Sequence, residues 1–188
     1  KSTSDPSTAK CKARIVLLGY TDPDLETLQT SAPTLTRRSR QLALSLACAK
    51  RWKLVKADAK SAFLQGTATQ SDRNIFAIPV PELAEALQVP QGQAVKMLKA
   101  AYGLVSAPRE WFLEVNKVAT ESCRLRQLKS DPCMWVLDGH GPDAEPRGFI
   151  TSHVDDFLIA GDDNDPEWQA CLSTFKAAFR WSPWENTP

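Results

Sequence analysis

One stretch constrains the fold more than any other: residues 149–161, FITSHVDDFLIAG, where two adjacent carboxylates, Asp155 and Asp156, separate two apolar β-type runs. Before the acids, successive residues alternate between two faces, as a half-buried strand requires, and the apolar run after them ends at Gly161. The pattern predicts a β-hairpin with its acids at the tip. Aspartate is also common in plain turns, because its side chain accepts hydrogen bonds from nearby backbone amides. A functional interpretation of the pair therefore needs a third carboxylate.

Asp58 is the candidate for that third carboxylate. The run from Trp52 to Ala57 predicts a strand that leads directly into Asp58, so this acid also ends a strand. Asp58 and Asp155 lie far apart in the sequence and could converge only through tertiary structure. Paired Mg²⁺ ions need such convergence, because ions about 3.5–4 Å apart are bridged by shared carboxylates. Mg²⁺ also takes oxygen ligands from the phosphates of a substrate.

The charge of the chain is divided between its two ends. Residues 1–60 carry 12 basic and 5 acidic side chains, a net charge of +7, whereas residues 131–188 carry 3 and 11, a net charge of −8. A basic segment suits phosphates and an acidic one suits cations, although charged runs are often only solvated faces. Five scattered cysteines without a CxxC pair, and only two histidines, argue against a zinc site. No run reaches membrane-spanning length, so we expect an intracellular protein with no membrane partner.

Three helices have clear sequence signals. The first is predicted from Thr36 to Arg51, and its apolar side is formed by Leu35, Leu42, Leu46 and Ala49. The second follows Ser106 as its N-cap, and its core face holds Trp111, Phe112, Val115, Val118 and Ala119. The third follows Asp165 as its N-cap, and its apolar residues are Trp168, Cys171, Leu172, Phe175 and Phe179. The third helix is therefore expected to pack on a sheet.

Strands alternate with these helices along the chain. They are predicted at Ile15–Leu18, in residues 74–80 and 94–104, and at Cys133–Leu137, with a short helix in residues 81–88. This order favours an α+β fold in which the helices lie on one face of the sheet. Arg37, Arg38 and Arg40 place positive charge in the first turns of the first helix, where it opposes the helix dipole. We therefore expect these arginines to bind something outside the helix.

Five stretches, taken in order, resemble the reverse transcriptase of copia-type LTR retrotransposons: KARIVLLGY, SAPTLTRRSRQLALSLACAKRWKLVKADAKSAFLQG, VKMLKAAYGLVSAPREW, SDPCMWVL and HVDDFLIAGDD. The resemblance runs from about Lys10 to Arg180, and its motifs are specific in combination rather than singly. It implies a right-hand polymerase in which an antiparallel palm sheet, with a ferredoxin-like core, is backed by helices. The fold class expected on this basis is α+β.

The resemblance also implies domain boundaries. Residues 1–9 would be a disordered leader, and residues 10–180 would form the fingers and palm. The fingers would take about residues 10–50 and 67–105, and the palm about residues 51–66 and 106–180. Residues 181–188 would be the truncated start of the following segment, with the thumb and RNase H domain absent. On this expectation the chain alone would fold but extend a primer poorly.

Roles for individual residues follow from the same resemblance. Asp58 and Asp155 would bridge two Mg²⁺ ions, with Mn²⁺ as a substitute, and Asp156 would ligate less directly. The primer 3′-OH would then attack the α-phosphate of a dNTP. The nucleotide-binding residues would be Lys12, Arg14, Phe63, Tyr102 and Gly103. The residues near primer and template would be His153, Arg37, Arg38 and Arg40.

Phe63 has two interpretations in that scheme. It occupies the place where similar polymerases keep an aromatic ring against the sugar, which excludes a 2′-OH, while a core phenylalanine under the active strand explains the residue equally well. Three departures from the family pattern concern activity rather than ancestry. His153 replaces a usual Tyr, Val105 and Ser106 replace a Lys-Gln pair, and Leu18 replaces a common Arg.

Two functional classes stay open at this point. The chain could be the RNA-directed DNA polymerase domain of a longer Pol polyprotein, acting on an RNA or DNA template with an annealed primer. Such a protein would work in cytoplasmic virus-like particles and have a nuclear phase. Alternatively, the chain could be a truncated and inactive retrotransposon remnant with at most weak nucleic-acid binding. A metal-dependent phosphohydrolase is disfavoured because neither histidine clusters with the carboxylates, and retention of all three acids favours the polymerase.

Overall fold

A computed structural model describes residues 14–66, 73–141 and 144–186. Its strands are β1 (Val55–Asp58), β2 (Phe76–Ala77), β3 (Val95–Lys96), β4 (Arg126–Gln127), β5 (Met134–Leu137), β6 (Gly148–His153), β7 (Asp156–Gly161) and β8 (Glu185–Asn186). Six of them form one sheet in the order β4-β5-β6-β7-β1-β8, and every pairing in it is antiparallel. The remaining two, β2 and β3, form a separate antiparallel ribbon. The predicted α+β class with an antiparallel sheet is confirmed.

The helices are α1 (Arg37–Lys50), α2 (Pro81–Ala86), α3 (Ala107–Lys117) and α4 (Pro166–Ala178). A π-helical turn, Val118–Ser122, continues α3, and short 3₁₀ turns occur at Gly19–Thr21 and Ala62–Leu64. Within the part of the chain that the structure describes, no helix combines the length and the apolar character needed to cross a membrane.

Helices cover both faces of the large sheet, so the prediction that they lie on one face is wrong. On one face, α3 and α4 pack against Trp135, Ile150 and Phe157. On the other face, α1 packs against Val136 and Phe149. The reason is visible in β5 and β6, where consecutive residues are buried instead of alternating with exposed ones. A strand buried on both sides needs a covering layer on each.

Helix α1 contacts the sheet through its small residues. Ala43 and Ala47 are buried, whereas Leu42 is 57% exposed, so the predicted leucine-rich face is wrong at that position. Ala49 is also exposed. Small side chains spaced four residues apart lie on one side of a helix and let it approach the sheet closely.

The start of α1 is fixed by a residue from a distant loop. Thr36 caps the helix by accepting from the Ser39 amide, and the amide of Thr36 itself donates to Asp131, 95 residues away, at 2.9 Å. Asp131 is fully buried and also accepts from the Cys133 amide. Burial alone would raise the pKa of Asp131, but hydrogen bonds from Ser39, Thr36 and Cys133 outweigh it and lower the pKa. The dipole of α1 stabilises an anionic carboxylate at this N-terminal end. The same dipole disfavours the positive charge of the neighbouring arginines.

Helix α4 forms as predicted. Asp165 accepts from the amides of Glu167 and Trp168, which is the N-cap expected from the sequence. Trp168 is buried over the cross-strand pair of Gly148 and Gly161, where a Cβ on either glycine would lie 2.4 Å or 2.2 Å from the indole ring. The glycine that closes the hairpin motif therefore makes room for a core tryptophan.

Two local predictions fail for identifiable reasons. Ile15–Leu18 is not a strand: the Leu17 amide donates to the Tyr102 carbonyl at 2.7 Å, but no ladder of hydrogen bonds pairs the segment with another part of the described chain. Ser106 precedes α3 but makes no side-chain capping bond, since its backbone is already helical, with φ −81° and ψ −17°. A capping side chain needs an extended backbone at that position.

Candidate active site

Two aspartates lie opposite each other at one end of β1 and β7, and a third lies in the adjoining turn. Asp58, the last residue of β1, is the cross-strand partner of Asp156, the first residue of β7. The amide of Ala59 donates to the carbonyl of Asp155 at 2.8 Å, which holds the hairpin tip against the end of β1. Directly opposite residues on adjacent strands project from the same face of a sheet. Asp58 and Asp156 are therefore neighbours on one face, and Asp155 lies beside them in the turn.

The turn that carries Asp155 has an unusual backbone. Val154 has φ +61°, in the left-handed region that a β-branched residue seldom adopts. The indole N–H of Trp111, in α3, donates to the Val154 carbonyl at 2.7 Å. Trp111 is 2% exposed, so a buried ring of the core holds the turn from behind. Strained residues persist only where the surrounding structure holds them in place.

Each of two carboxylates has a polar partner. Ser182 donates its hydroxyl to Asp58 Oδ2 at 2.7 Å, and its amide donates to the Asp58 carbonyl at 2.9 Å. Lys56 Nζ lies 3.5 Å from Asp156 Oδ1, and both of these side chains are 52% exposed. Asp58 is thus held by a hydrogen bond and Asp156 by a solvent-exposed ion pair.

Two clefts open beside these acids. One, of about 270 Å³, is lined by Lys56, Asp58, Asp156, Ser182, Pro183 and Glu185. The other, of about 380 Å³, lies toward α1 and is lined by Leu35, Arg37, Arg40, Lys56, Thr151, His153, Asp156, Phe157 and Leu158. Asp156 and Lys56 belong to both clefts. The predicted residues Arg37, Arg40 and His153 therefore gather near the acids, while Arg38 is exposed but does not line this cleft.

The donor set suits a hard divalent cation, although the described residues alone do not complete its coordination. Among the described residues, no three His, Cys, Asp or Glu side chains are grouped closely enough to hold an ion. Mg²⁺ is commonly bound by one or two carboxylates and completed by water and substrate phosphates. Adjacent Asp58, Asp155 and Asp156 fit that pattern, because they offer only carboxylate oxygens. Water, together with substrate phosphates when these are present, would complete the coordination of an ion held there.

A second group of predicted residues forms an aromatic and cationic cluster. The rings of Phe63 and Tyr102 are 5.2 Å apart, and the Arg14 guanidinium lies 4.6 Å from the centre of the Tyr102 ring. Gly103 has φ +92°, and a Cβ there would lie 2.0 Å from the Leu17 carbonyl oxygen. Only a glycine allows the segment of Arg14 to lie this close to Tyr102. Lys12, predicted to act with Arg14, lies outside the described residues.

Comparison with known families decides the ancestry of this arrangement. Residues 1–181 match the family model described as reverse transcriptase (RNA-dependent DNA polymerase). The chain belongs to that family. Among curated proteins, this reverse transcriptase domain is 31% and 30% identical to the Pol polyproteins from transposons RE1 and RE2 of Arabidopsis thaliana. It is 27% identical to the Pol polyprotein from transposon TNT 1-94 of Nicotiana tabacum.

These relatives confirm the copia-type resemblance and set its extent. The alignments cover 87–88% of the reverse transcriptase domain but only 11–12% of each polyprotein. The chain thus spans about a tenth of the length of the curated relatives that it matches. No solved structure matches the chain.

Sequence reasoning missed three residues of the candidate site. Ser182 contacts Asp58 from 124 residues away, and its stretch carries no local motif. Lys56 could have been found, because period-2 spacing in a strand places it on the same face as Asp58. Trp111 was predicted to be a core residue, which it is, but the use of its indole N–H had no signal in the sequence.

Proposed function

We propose that this chain is the fingers and palm of an RNA-directed DNA polymerase, which transfers a deoxynucleotide from a dNTP to a primer 3′-OH. The observation that carries the proposal is the cross-strand pairing of Asp58 with Asp156 beside the turn that holds Asp155. Membership in the reverse transcriptase family supports the reaction class. The domain would act as part of a longer Pol polyprotein, in virus-like particles and with a nuclear phase.

Asp58 and Asp155 would hold two Mg²⁺ ions, and Asp156 would contribute to metal binding less directly. Mn²⁺ could replace Mg²⁺ at this site. When bound, such ions lower the pKa of an attacking hydroxyl and stabilise a leaving oxygen. The chain itself supplies the placement of the carboxylates. The β1–β7 register sets Asp58 opposite Asp156, and the Trp111 indole holds the turn of Asp155. Fixed placement matters because misplacement of reacting groups by about 1 Å can cost roughly a hundredfold in rate.

The aromatic and cationic cluster would bind the incoming nucleotide. Arg14, together with Lys12, would attract the triphosphate, since fixed cations stabilise charge that develops on phosphoryl oxygens. Tyr102 and Gly103 would lie under the nucleotide or its template base. Phe63, whose ring contacts Tyr102, would stand against the sugar. The 3₁₀ turn that carries Phe63 begins four residues after Asp58, which links this cluster to the carboxylates.

The larger cleft would receive the primer and template. Arg37, Arg40 and Lys56 supply positive charge around it, and His153 lies at the hairpin end nearest the acids. Arg38, exposed on the same helix turn, would contact template phosphate outside the cleft. Contacts of this kind to phosphate make binding weaken steeply as salt concentration rises. The positive charge of the cleft would attract the phosphates of an RNA or DNA template with an annealed primer.

Primer extension tests the proposal directly. The chain would be fused to the Pol sequence that follows the aligned region in RE1 and assayed on an RNA template with a DNA primer, dNTPs and Mg²⁺. We expect extension that Asp155→Asn and Asp58→Asn each reduce by a factor of roughly 10²–10³, as loss of a group that stabilises transition-state charge does. Asp163→Asn, a change at an exposed acid beyond β7, is the matched control and should leave extension intact.

Two results would contradict the proposal. Extension that survives Asp58→Asn and Asp155→Asn would place the chemistry elsewhere. Binding of primer and template without any extension by the fusion would favour the alternative, a remnant that binds nucleic acid and catalyses nothing. The exposed ion pair between Lys56 and Asp156 is consistent with either outcome.

A further inference from the structure

The chain that follows α4 returns to β1 at the end where the acids meet. Trp181 and Ala59 form an antiparallel bridge. One residue later, the Ser182 amide donates to the Asp58 carbonyl at 2.9 Å. Beyond it, β8 continues the pairing on the free edge of β1. The backbone of Ser182 is therefore part of the sheet edge that presents Asp58.

Contacts on both sides of this bridge fix its position. The Gln65 side chain donates to the Arg180 carbonyl at 3.0 Å and accepts from the Arg180 amide at 2.7 Å. The Trp181 ring packs edge-on against Phe157, with ring centres 5.2 Å apart, and lies 5.6 Å from Phe175. Polar contacts therefore hold the residue two before Ser182, and ring packing holds the one immediately before it.

The Ser182 hydroxyl uses this fixed position to contact the carboxylate. It donates its single proton to Asp58 Oδ2 at 2.7 Å. Hydrogen bonds to an ionised oxygen are stronger than neutral ones, so this contact restrains rotation of the Asp58 carboxylate. An ionised carboxylate has two acceptor oxygens with about four lone-pair sites, and this bond uses one of them. Among the described residues, no other side chain donates to Asp58, so Oδ1 is available to a cation.

Asp156 is held much less firmly. Its charged partner among the described residues is Lys56, at 3.5 Å, and both side chains are about half exposed at 52%. Exposed ion pairs of that kind restrain their partners weakly, because both side chains keep much of their freedom and water screens the charges. The structure thus orients Asp58 more strictly than its cross-strand partner.

We infer that Ser182 is a positioning residue, which holds the Asp58 carboxylate with Oδ1 turned toward a divalent cation. The inference rests on the proposed polymerase site, because it assumes that Asp58 is a metal ligand. It adds a residue from beyond α4 to that site. Residues that hydrogen-bond to metal ligands commonly change metal affinity by about 10- to 100-fold when they are replaced.

The test uses Mn²⁺ alone as the probe, without nucleotide or primer. Mn²⁺ is titrated into the purified chain, and the electron paramagnetic resonance signal of the free ion gives the affinity. We expect Ser182→Ala to weaken Mn²⁺ binding roughly tenfold. Ser182→Thr keeps the hydroxyl and should retain the parental affinity. Ser182→Cys keeps the size but donates weakly, so its affinity should fall toward that of Ser182→Ala.

Matched variants separate the possible failures. Ser173→Ala removes an exposed hydroxyl from α4 and should change nothing. Asp58→Asn tests the metal site itself. If Asp58→Asn weakens Mn²⁺ binding while Ser182→Ala and Ser182→Cys do not, the positioning role is wrong and the proposed site stands. If Asp58→Asn leaves Mn²⁺ binding unchanged, or the parent chain binds no Mn²⁺, both the positioning role and the proposed site are wrong.

Discussion

The indole N–H of Trp111 donates to the carbonyl of Val154 at 2.7 Å, so a helix of the core holds the turn that carries Asp155. Trp111→Phe keeps most of the ring packing and removes this bond. We expect a loss of roughly 1–2 kcal/mol in the free energy of unfolding, as for other buried hydrogen bonds, measured by urea denaturation. Hydrogen exchange in residues 152–158 should also become faster.

A second buried tryptophan provides the control. Trp135 is fully buried in the same core, but its indole N–H donates to the Asn116 side chain at 2.9 Å and not to the hairpin turn. Trp135→Phe should lower the free energy of unfolding by a similar amount. Hydrogen exchange in residues 152–158 should then accelerate no more than this global loss of stability requires. Equal acceleration of exchange at the hairpin in both variants would show that Trp111 has no local role at the turn.

Gly103→Ala should detach the segment around Leu17 from Tyr102. The new Cβ would lie 2.0 Å from the Leu17 carbonyl oxygen, in addition to the strain of alanine at φ +92°. Gly92 is the matched control, because its φ is +79° and nothing lies within 4 Å of a Cβ there. Gly92→Ala should cost only the backbone strain, about 1 kcal/mol. Limited proteolysis near residue 17 should accelerate in Gly103→Ala alone.

Asp131 should give the fold a dependence on acidic pH. Hydrogen bonds outweigh the opposing effect of burial and lower its pKa in the folded chain, below the value of about 3.9 expected when unfolded. A depressed carboxyl pKa stabilises the fold above the unfolded value and loses that effect as pH falls through the folded value. Asp131→Asn should therefore cost about 2–3 kcal/mol near neutral pH, with the difference narrowing below about pH 4.

The comparison for Asp131 is an exposed carboxylate. Asp138 pairs with Arg126 at the surface, where the two side chains are 47% and 57% exposed. Asp138→Asn should change stability by less than about 1 kcal/mol over the same range of pH. A pH profile of Asp131→Asn that runs parallel to the parent would mean that this carboxyl titrates alike in the folded and unfolded chains.

Sequence reasoning succeeded where the signals are local. The start of α1 near Thr36, the Asp165 cap of α4 and the hairpin in residues 149–161 follow from a few adjacent residues, and all three were placed correctly. Asp58 was assigned to a strand end for the same reason. That Asp58 should meet the hairpin was a hypothesis, and the register of β1 with β7 now sets it opposite Asp156.

The failures concern contacts between distant parts of the chain. Burial of the sheet on both faces depends on where α1 packs, and Leu42 was misplaced because two alanines, not the leucine, face the sheet. Ser182 reaches Asp58 across 124 residues, and a single serine outside any motif gives no sequence pattern. Such contacts form only when the strands are paired in their final order in the sheet.

The role of Phe63 can be tested in an active fusion, on the assumption that the proposed polymerase site is correct. A ring against the sugar excludes a 2′-OH by steric clash, so Phe63→Val should incorporate ribonucleotides far better, while Phe63→Tyr should change little. Selectivity is measured as the ratio of kcat/KM for dNTP and rNTP. The ring also packs on Tyr102, 5.2 Å away, so melting curves must accompany the kinetics. Unchanged selectivity in Phe63→Val would make Phe63 a packing residue only.

The order of strands in the large sheet has a consequence for synthesis. Strand β1 pairs on one edge with β7 and on the other with β8, and both of these follow it by about a hundred residues or more. At about 5–20 residues per second, a ribosome needs roughly 5–20 s to make that length of chain. During this interval both hydrogen-bonding edges of β1 have no partner in the sheet. The nascent polypeptide therefore exposes an open strand, a natural target for chaperones, until translation has passed β7.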